Sequence, residues 1–138
     1  MIFLFLALAA IALGALGFLV WGRTPELYSS RGCMGAAWRK SFPNSSKEEI
    51  RQFLWSFASA FAVPRRQALQ LAPNDELLAI YRARYLRNDL IDALEFEVLA
   101  KHLYKKHRFS LDAVWHDRLT VGELFAKLSE AKLKSLAE

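Results

Sequence analysis

Residues 46–62, SKEEIRQFLWSFASAFA, decide the fold. Ser46 with Glu49 three positions on is a capping box, in which each side chain accepts the other's backbone N–H, and Pro43 lies just outside it. Ile50, Phe53, Leu54, Phe57 and Phe61 then keep the i, i+3, i+4, i+7 rhythm of one helical face. The spacing predicts a helix from about Ser46 to about Ala62. Pro64 ends it, because proline lacks an amide proton and disfavours the helical conformation in its predecessor. So apolar a face has to be covered, and the rest of the chain offers helices to cover it.

Toward the C-terminus, Arg65 to Asp75 reads as irregular, and a short amphipathic piece from Glu76 to about Tyr85 places Leu77, Ile80 and Tyr81 on one side. Asn88 or Asp89 caps a stronger helix, in which Ile91, Leu94, Val98, Leu99 and Leu103 are expected to form the buried stripe. Its charges follow the helix dipole: Asp89, Asp92, Glu95 and Glu97 come first, and Lys101, Lys105, Lys106 and Arg108 last. Ser110 opens a short turn with Leu111, Val114 and Trp115. Thr120 with Glu123 makes a second capping box ahead of Val121, Leu124, Phe125 and Leu128, and the tail beyond Ala126 extends that last helix. No strand is expected. The sum over 46–138 is an all-α domain with a C-terminal helical extension, its compact part of roughly 85 residues, enough for one small core.

Toward the N-terminus the chain changes character. Residues 1–22, MIFLFLALAAIALGALGFLVWG, hold no charged side chain. Roughly 20 apolar residues in a helix cover about 30 Å, the thickness of a bilayer's hydrocarbon core, with every backbone group paired internally. A single transmembrane helix is therefore expected over 1–22. The rival, a cleaved signal peptide, wants a basic n-region and a small-x-small cleavage site, and neither is present. Arg23, Arg31, Arg39 and Lys40 all follow the apolar run, so the positive-inside rule puts the C-terminal domain on the cytoplasmic side of the cell's inner membrane. Residues 23–45 read as a basic juxtamembrane linker attracted to anionic headgroups. Trp21, Tyr28 and Trp38 suit the interface, although Trp38 could equally pack on the domain.

Charge and composition exclude other classes. The formal charge of +5 gathers next to the membrane rather than as a stripe on the folded domain, which argues against a nucleic-acid partner. The single cysteine, Cys33, cannot form an internal disulfide and reads as an ordinary thiol. His102 and His107 are five apart and so do not share a helical face, and His116 adjoins Asp117 rather than a second ligand at i+3 or i+4, so no metal site is expected. Ser110 and His116 could be drawn together as nucleophile and base, but Ser110 already serves as a cap. Neither catalytic residues nor a bound cofactor are expected, and the chain reads as a non-enzyme.

The order of these elements resembles the acyl carrier protein, or phosphopantetheine-binding, fold over about residues 46 to 130. The matching stretches are Leu71–Leu77 (LAPNDEL), similar to that family's loop before its second helix, Asp89–Glu95 (DLIDALE), similar to its Asp-Ser-Leu-Asp signature, and Thr120–Leu124 (TVGEL). In that family the serine at the head of the second helix takes the phosphopantetheine arm. Here the matching position is Leu90, and no Ser, Thr or Cys occurs from Ala60 to Phe109, so the attachment serine is lacking. The resemblance then implies a docking fold that cannot be loaded, with Asp89, Asp92 and Glu95 as candidate partner-binding residues. Those same charges are also explained as compensation of the helix dipole.

The expectation is thus a single-pass membrane protein that contacts lipid through residues 1–22. Its cytoplasmic carrier-like helical bundle would be an interaction or scaffold module for a membrane or cytoplasmic protein. The alternative is an acyl- or lipid-binding accessory subunit of a membrane enzyme or transport complex, which requires an apolar pocket between the helices.

Overall fold

The computed structural model describes residue 11, residues 30–84 and residues 94–138. The expected membrane span, Leu90 and the expected helix start at Asn88 or Asp89 lie outside the described residues. Among the described residues, no helix is long and apolar enough to cross a membrane.

Five α-helices and one 3-10 helix are described: α1 (Gly35–Ser41), α2 (Lys47–Ala60), the 3-10 helix Arg65–Gln70, α3 (Leu77–Arg84), α4 (Leu94–His107) and α5 (Val121–Ala137). The chain is all-α, with no strand among the described residues. The capping box forms as its residue types require: Ser46 Oγ accepts the Glu49 N–H at 3.1 Å, and Glu49 Oε2 accepts the Ser46 N–H at 2.9 Å. At the other end of α2, Val63 N–H reaches the Ala58 carbonyl (2.8 Å) and Ala62 N–H that of Ser59 (3.2 Å), the paired bonds of a Schellman motif. Ala62 takes the left-handed position at φ 51°, where glycine is usual. Arg108, at φ 54°, ends α4 in the same conformation.

Two helix-loop-helix units, α2 with α3 and α4 with α5, join at their loops. Leu77 N–H donates to the Leu119 carbonyl and Val121 N–H to that of Asp75, both at 2.9 Å, which makes Glu76 and Thr120 an isolated antiparallel bridge. Gly122 N–H adds a third bond, to the Pro73 carbonyl at 2.9 Å. A Cβ on Gly122 would stand 2.8 Å from that oxygen and 2.9 Å from the Pro73 Cβ, so the approach requires glycine.

The stretch expected to be a linker carries α1 and part of the core. Trp38 is fully buried and donates its indole N–H to the Leu71 carbonyl at 2.7 Å. Met34 N–H donates to the Leu69 carbonyl at 2.7 Å, and the Arg31 guanidinium forks onto Asp75 at 2.7 and 2.9 Å. Asp75 meanwhile accepts the Ala72 N–H at 2.7 Å. Residues 31–42 therefore lie strapped along 69–75. The open choice for Trp38 falls to the domain, because only there do both its ring and its N–H find partners.

The core is a run of rings. Trp38 stacks on Phe42 (5.7 Å) and meets Phe125 edge-on (5.8 Å), Phe53 lies 5.1 Å from Phe125, and Phe57 stacks on Phe61 at 4.6 Å. Phe96 continues the run, 5.3 Å from Phe61, 4.8 Å from Tyr81 and 5.0 Å from Trp115. Phe96 also corrects the expected face of α4. Leu99 and Leu103 are buried, but Leu94 is 54% and Val98 43% exposed. The helix has two apolar arcs on opposite sides, and the one that carries the large aromatic is the one that packs.

Candidate functional site

Helix α4 presents two different surfaces. Its outward side carries Leu94 and Val98 one turn apart, and the same stripe continues one turn further as the exposed Lys101 and Lys105. Glu95 borders this stripe half-buried, whereas Asp89 and Asp92 lie outside the described residues. Of the three carboxylates expected to bind a partner, the structure therefore locates one.

Its other side faces a cleft between α2 and α5. The inner part, of about 80 Å³, is lined among others by Ser56, His102, Lys106, His107 and Lys132. An open outer part of about 570 Å³ shares Ser56, His102 and Lys106 and runs out to Trp55 and Arg65, whose guanidinium lies 3.8 Å over the Trp55 ring. The sequence reading separated His102 from His107 because a five-residue interval does not stack on one helical face. The structure brings both to the cleft from its two flanks, a convergence that depends on how α2 and α5 sit and leaves no signature in spacing. His107 loses protons more readily than an ordinary imidazole, first because of burial and then because Lys132, Lys106 and His102 repel the added charge.

The remaining candidates are accounted for locally. His116 Nε2 lies 2.9 and 3.0 Å from the two carboxylate oxygens of Glu123, so Ser110 is not the partner of this ring. Thr120 Oγ1 accepts the Glu123 N–H at 3.1 Å, forming one half of the second capping box. The other half gives way to the imidazole, whose hydrogen bond holds the Glu123 carboxyl below its ordinary range. No group of three or more His, Cys, Asp or Glu side chains among the described residues could hold a metal ion. Asp75, the central carboxylate of the paired loops, is occupied by Arg31.

No known protein family, curated protein or solved structure matches this chain.

Proposed function

We propose that the chain is a non-catalytic interaction module, tethered by residues 1–22 to the cell's inner membrane with its helical domain in the cytoplasm, and that it docks a protein partner on the outward side of α4. The supporting observation is the exposed pair Leu94 and Val98 on a helix whose opposite face is already fully used in the core. Single exposed apolar residues are ordinary, but two on successive turns, continued by two lysines, make a directional ridge. A partner groove apolar at its centre and acidic beyond would match it. Glu95 borders this surface, and Asp89 and Asp92 enter the proposal from the sequence alone. The carrier-like resemblance belongs to the proposal too, with Leu90 in place of an attachment serine.

The filled core weighs against the acyl-binding alternative. An aromatic run occupies the space between the helices, and the partly open inner cleft of about 80 Å³ lies well under the roughly 300 Å³ at which ligand pockets begin. The larger open cleft is lined by Gln, Ser, His, Lys and Arg rather than by apolar side chains alone.

Capture from native membranes tests the docking reading. The full chain and its Leu94→Glu/Val98→Glu variant are cross-linked in place, and the partners are identified by mass spectrometry. A partner held by the parent and lost by the folded variant supports the ridge. Equal capture by both overturns it. In the same preparation, a broad-specificity phosphopantetheinyl transferase with coenzyme A should leave the intact mass unchanged.

A further inference from the structure

The cleft on the inner side of α4 has a composition that packing alone does not account for. Ion pairs among the described residues join Arg31 to Asp75, His116 to Glu123, Arg118 to Glu76 and Lys134 to Glu130. None includes Arg65, Lys106 or Lys132, the arginine and lysines around the cleft. The single carboxylate on its lining, Glu49, already accepts the Ser46 N–H as part of the capping box. Accepting that bond does not cancel the charge of Glu49, but one carboxylate does not balance three cations, so an anion entering the cleft meets a positive field.

A second observation, independent of charge, points into the same cleft. Nε2 of His102 is buried and has no hydrogen-bond partner. Buried polar atoms are nearly always satisfied, and this unsatisfied one belongs to a side chain that lines the cleft, so a missing partner there is the simplest account of it. The Ser56 hydroxyl lies on the same lining. An acceptor-rich, compact anion completes the set: it accepts from imidazole, hydroxyl and ammonium at once, as one small apolar ligand could not. The inner volume of about 80 Å³ suits one tetrahedral oxyanion, and the outer part leaves room for the group that carries it.

We propose that the cleft between α2, α4 and α5 binds a phosphate-bearing anion, with Lys106 and Lys132 as its counter-charges, His102 and Ser56 as hydrogen-bonding groups, and Arg65 on Trp55 at the mouth. This goes beyond the docking surface and does not depend on it, since the cleft is lined by Ser56, His102, Lys106 and Lys132 and the ridge is formed by Leu94 and Val98. A phosphomonoester suits the site because it carries close to two negative charges near neutral pH. It has two sources, a soluble phosphate ester or the headgroup of a membrane lipid.

Histidine ring resonances of the full chain, reconstituted in phosphatidylcholine nanodiscs, separate the outcomes. Inorganic phosphate and glycerol 3-phosphate are titrated at constant ionic strength against chloride, and in a second arm the discs contain phosphatidic acid. The expected result is a saturable shift of His102 and His107 together, with the titration of His107 moved to higher pH in the presence of the anion. Glu49, Lys106, Lys132 and His102 face that ring's cleft, and only the anion changes between the arms. A response to the soluble phosphates assigns the source to solution, and one seen only with phosphatidic acid assigns it to the lipid. Lys106→Gln/Lys132→Gln, two exposed positions whose loss leaves the fold intact, should weaken either response by about tenfold or more. No shift in both arms, a shift matched by chloride, or an undiminished response in the lysine variant overturns the proposal. Failure here leaves the capture of a partner through Leu94 and Val98 unaffected.

Discussion

Trp38→Phe and Trp38→Ala test whether residues 31–42 are core or linker. Trp38 is fully buried, and it meets Phe42, Phe53 and Phe125 within 5.7 to 6.3 Å. Its indole N–H is bonded at 2.7 Å to the Leu71 carbonyl in a buried setting. Phenylalanine keeps much of the ring packing but leaves that carbonyl unpaired, a loss of about 1–3 kcal/mol. Alanine removes the ring as well and should cost about 3–5 kcal/mol. Against a total stability of about 5–15 kcal/mol, the first variant still folds and the second is close to unfolded. Urea denaturation of the detergent-solubilised full chain, followed by far-ultraviolet circular dichroism, measures both. A urea slope of about 1–3 kcal/mol per molar turns the phenylalanine loss into a midpoint shift of roughly 1 M. A linker residue would behave otherwise. If Trp38→Ala changes stability by less than about 0.5 kcal/mol, the size of an ordinary surface substitution, the packing argument fails.

Two opposite exchanges of glycine and alanine should move stability in opposite directions in the same urea assay. Gly122→Ala drives a methyl group against the Pro73 carbonyl and should cost about 1–3 kcal/mol despite alanine's better helix propensity, and a neutral result would mean that the paired loops separate freely. Ala62→Gly relieves the left-handed residue at the end of α2, and should be neutral or stabilise by up to about 1 kcal/mol, since glycine's greater freedom in the unfolded chain offsets part of the relief. The third prediction concerns pH. Because folding holds His107 below its ordinary 6.5, the unfolded chain takes up that proton first, so the penalty is absent above 6.5 and grows as pH falls from 6.5 through the folded value. His107→Gln should therefore narrow the difference in urea midpoint between about pH 7.5 and about pH 5.5, and an unchanged difference would place the acid sensitivity elsewhere.

Local signals were the legible ones. Ser46, Glu49 and the apolar spacing from Ile50 to Phe61 specify α2 by short-range chemistry, and the structure realises the cap and the face as read. Leu99 and Leu103 were also legible, but Leu94 and Val98 were not, because α4 carries apolar residues on two arcs and the choice depends on where Phe61, Tyr81 and Trp115 receive Phe96. The paired loops illustrate the same limit. Pro73, Asp75 and Gly122 each look like ordinary turn or cap residues, and their joint role follows only from contacts across more than forty positions of the chain. Likewise Lys106 satisfies the helix-dipole rule and Lys132 reads as an ordinary surface lysine, which hides that both line the cleft with His102.

The two sides of α4 place different demands on one helix. On the inward side, Phe96, Leu99 and Leu103 anchor it to the aromatic run, so its position is determined by packing that a partner on the outward side need not disturb. Between these arcs His102 and Lys106 open onto the cleft, near enough to the core for burial to disfavour charge on the neighbouring His107. An anion in the cleft would neutralise the repulsion among these cations, and it would raise the folded domain's affinity for the proton on His107. By linkage, uptake of a proton by His107 favours the bound anion and lessens the acid destabilisation assigned to His107, while a phosphomonoester's own protonation at about pH 6 works against binding in the same range. The outward ridge of Leu94, Val98, Lys101 and Lys105 contains no histidine, so a partner seated there should feel neither effect. One helix can thus carry two occupants that are told apart by their response to protons.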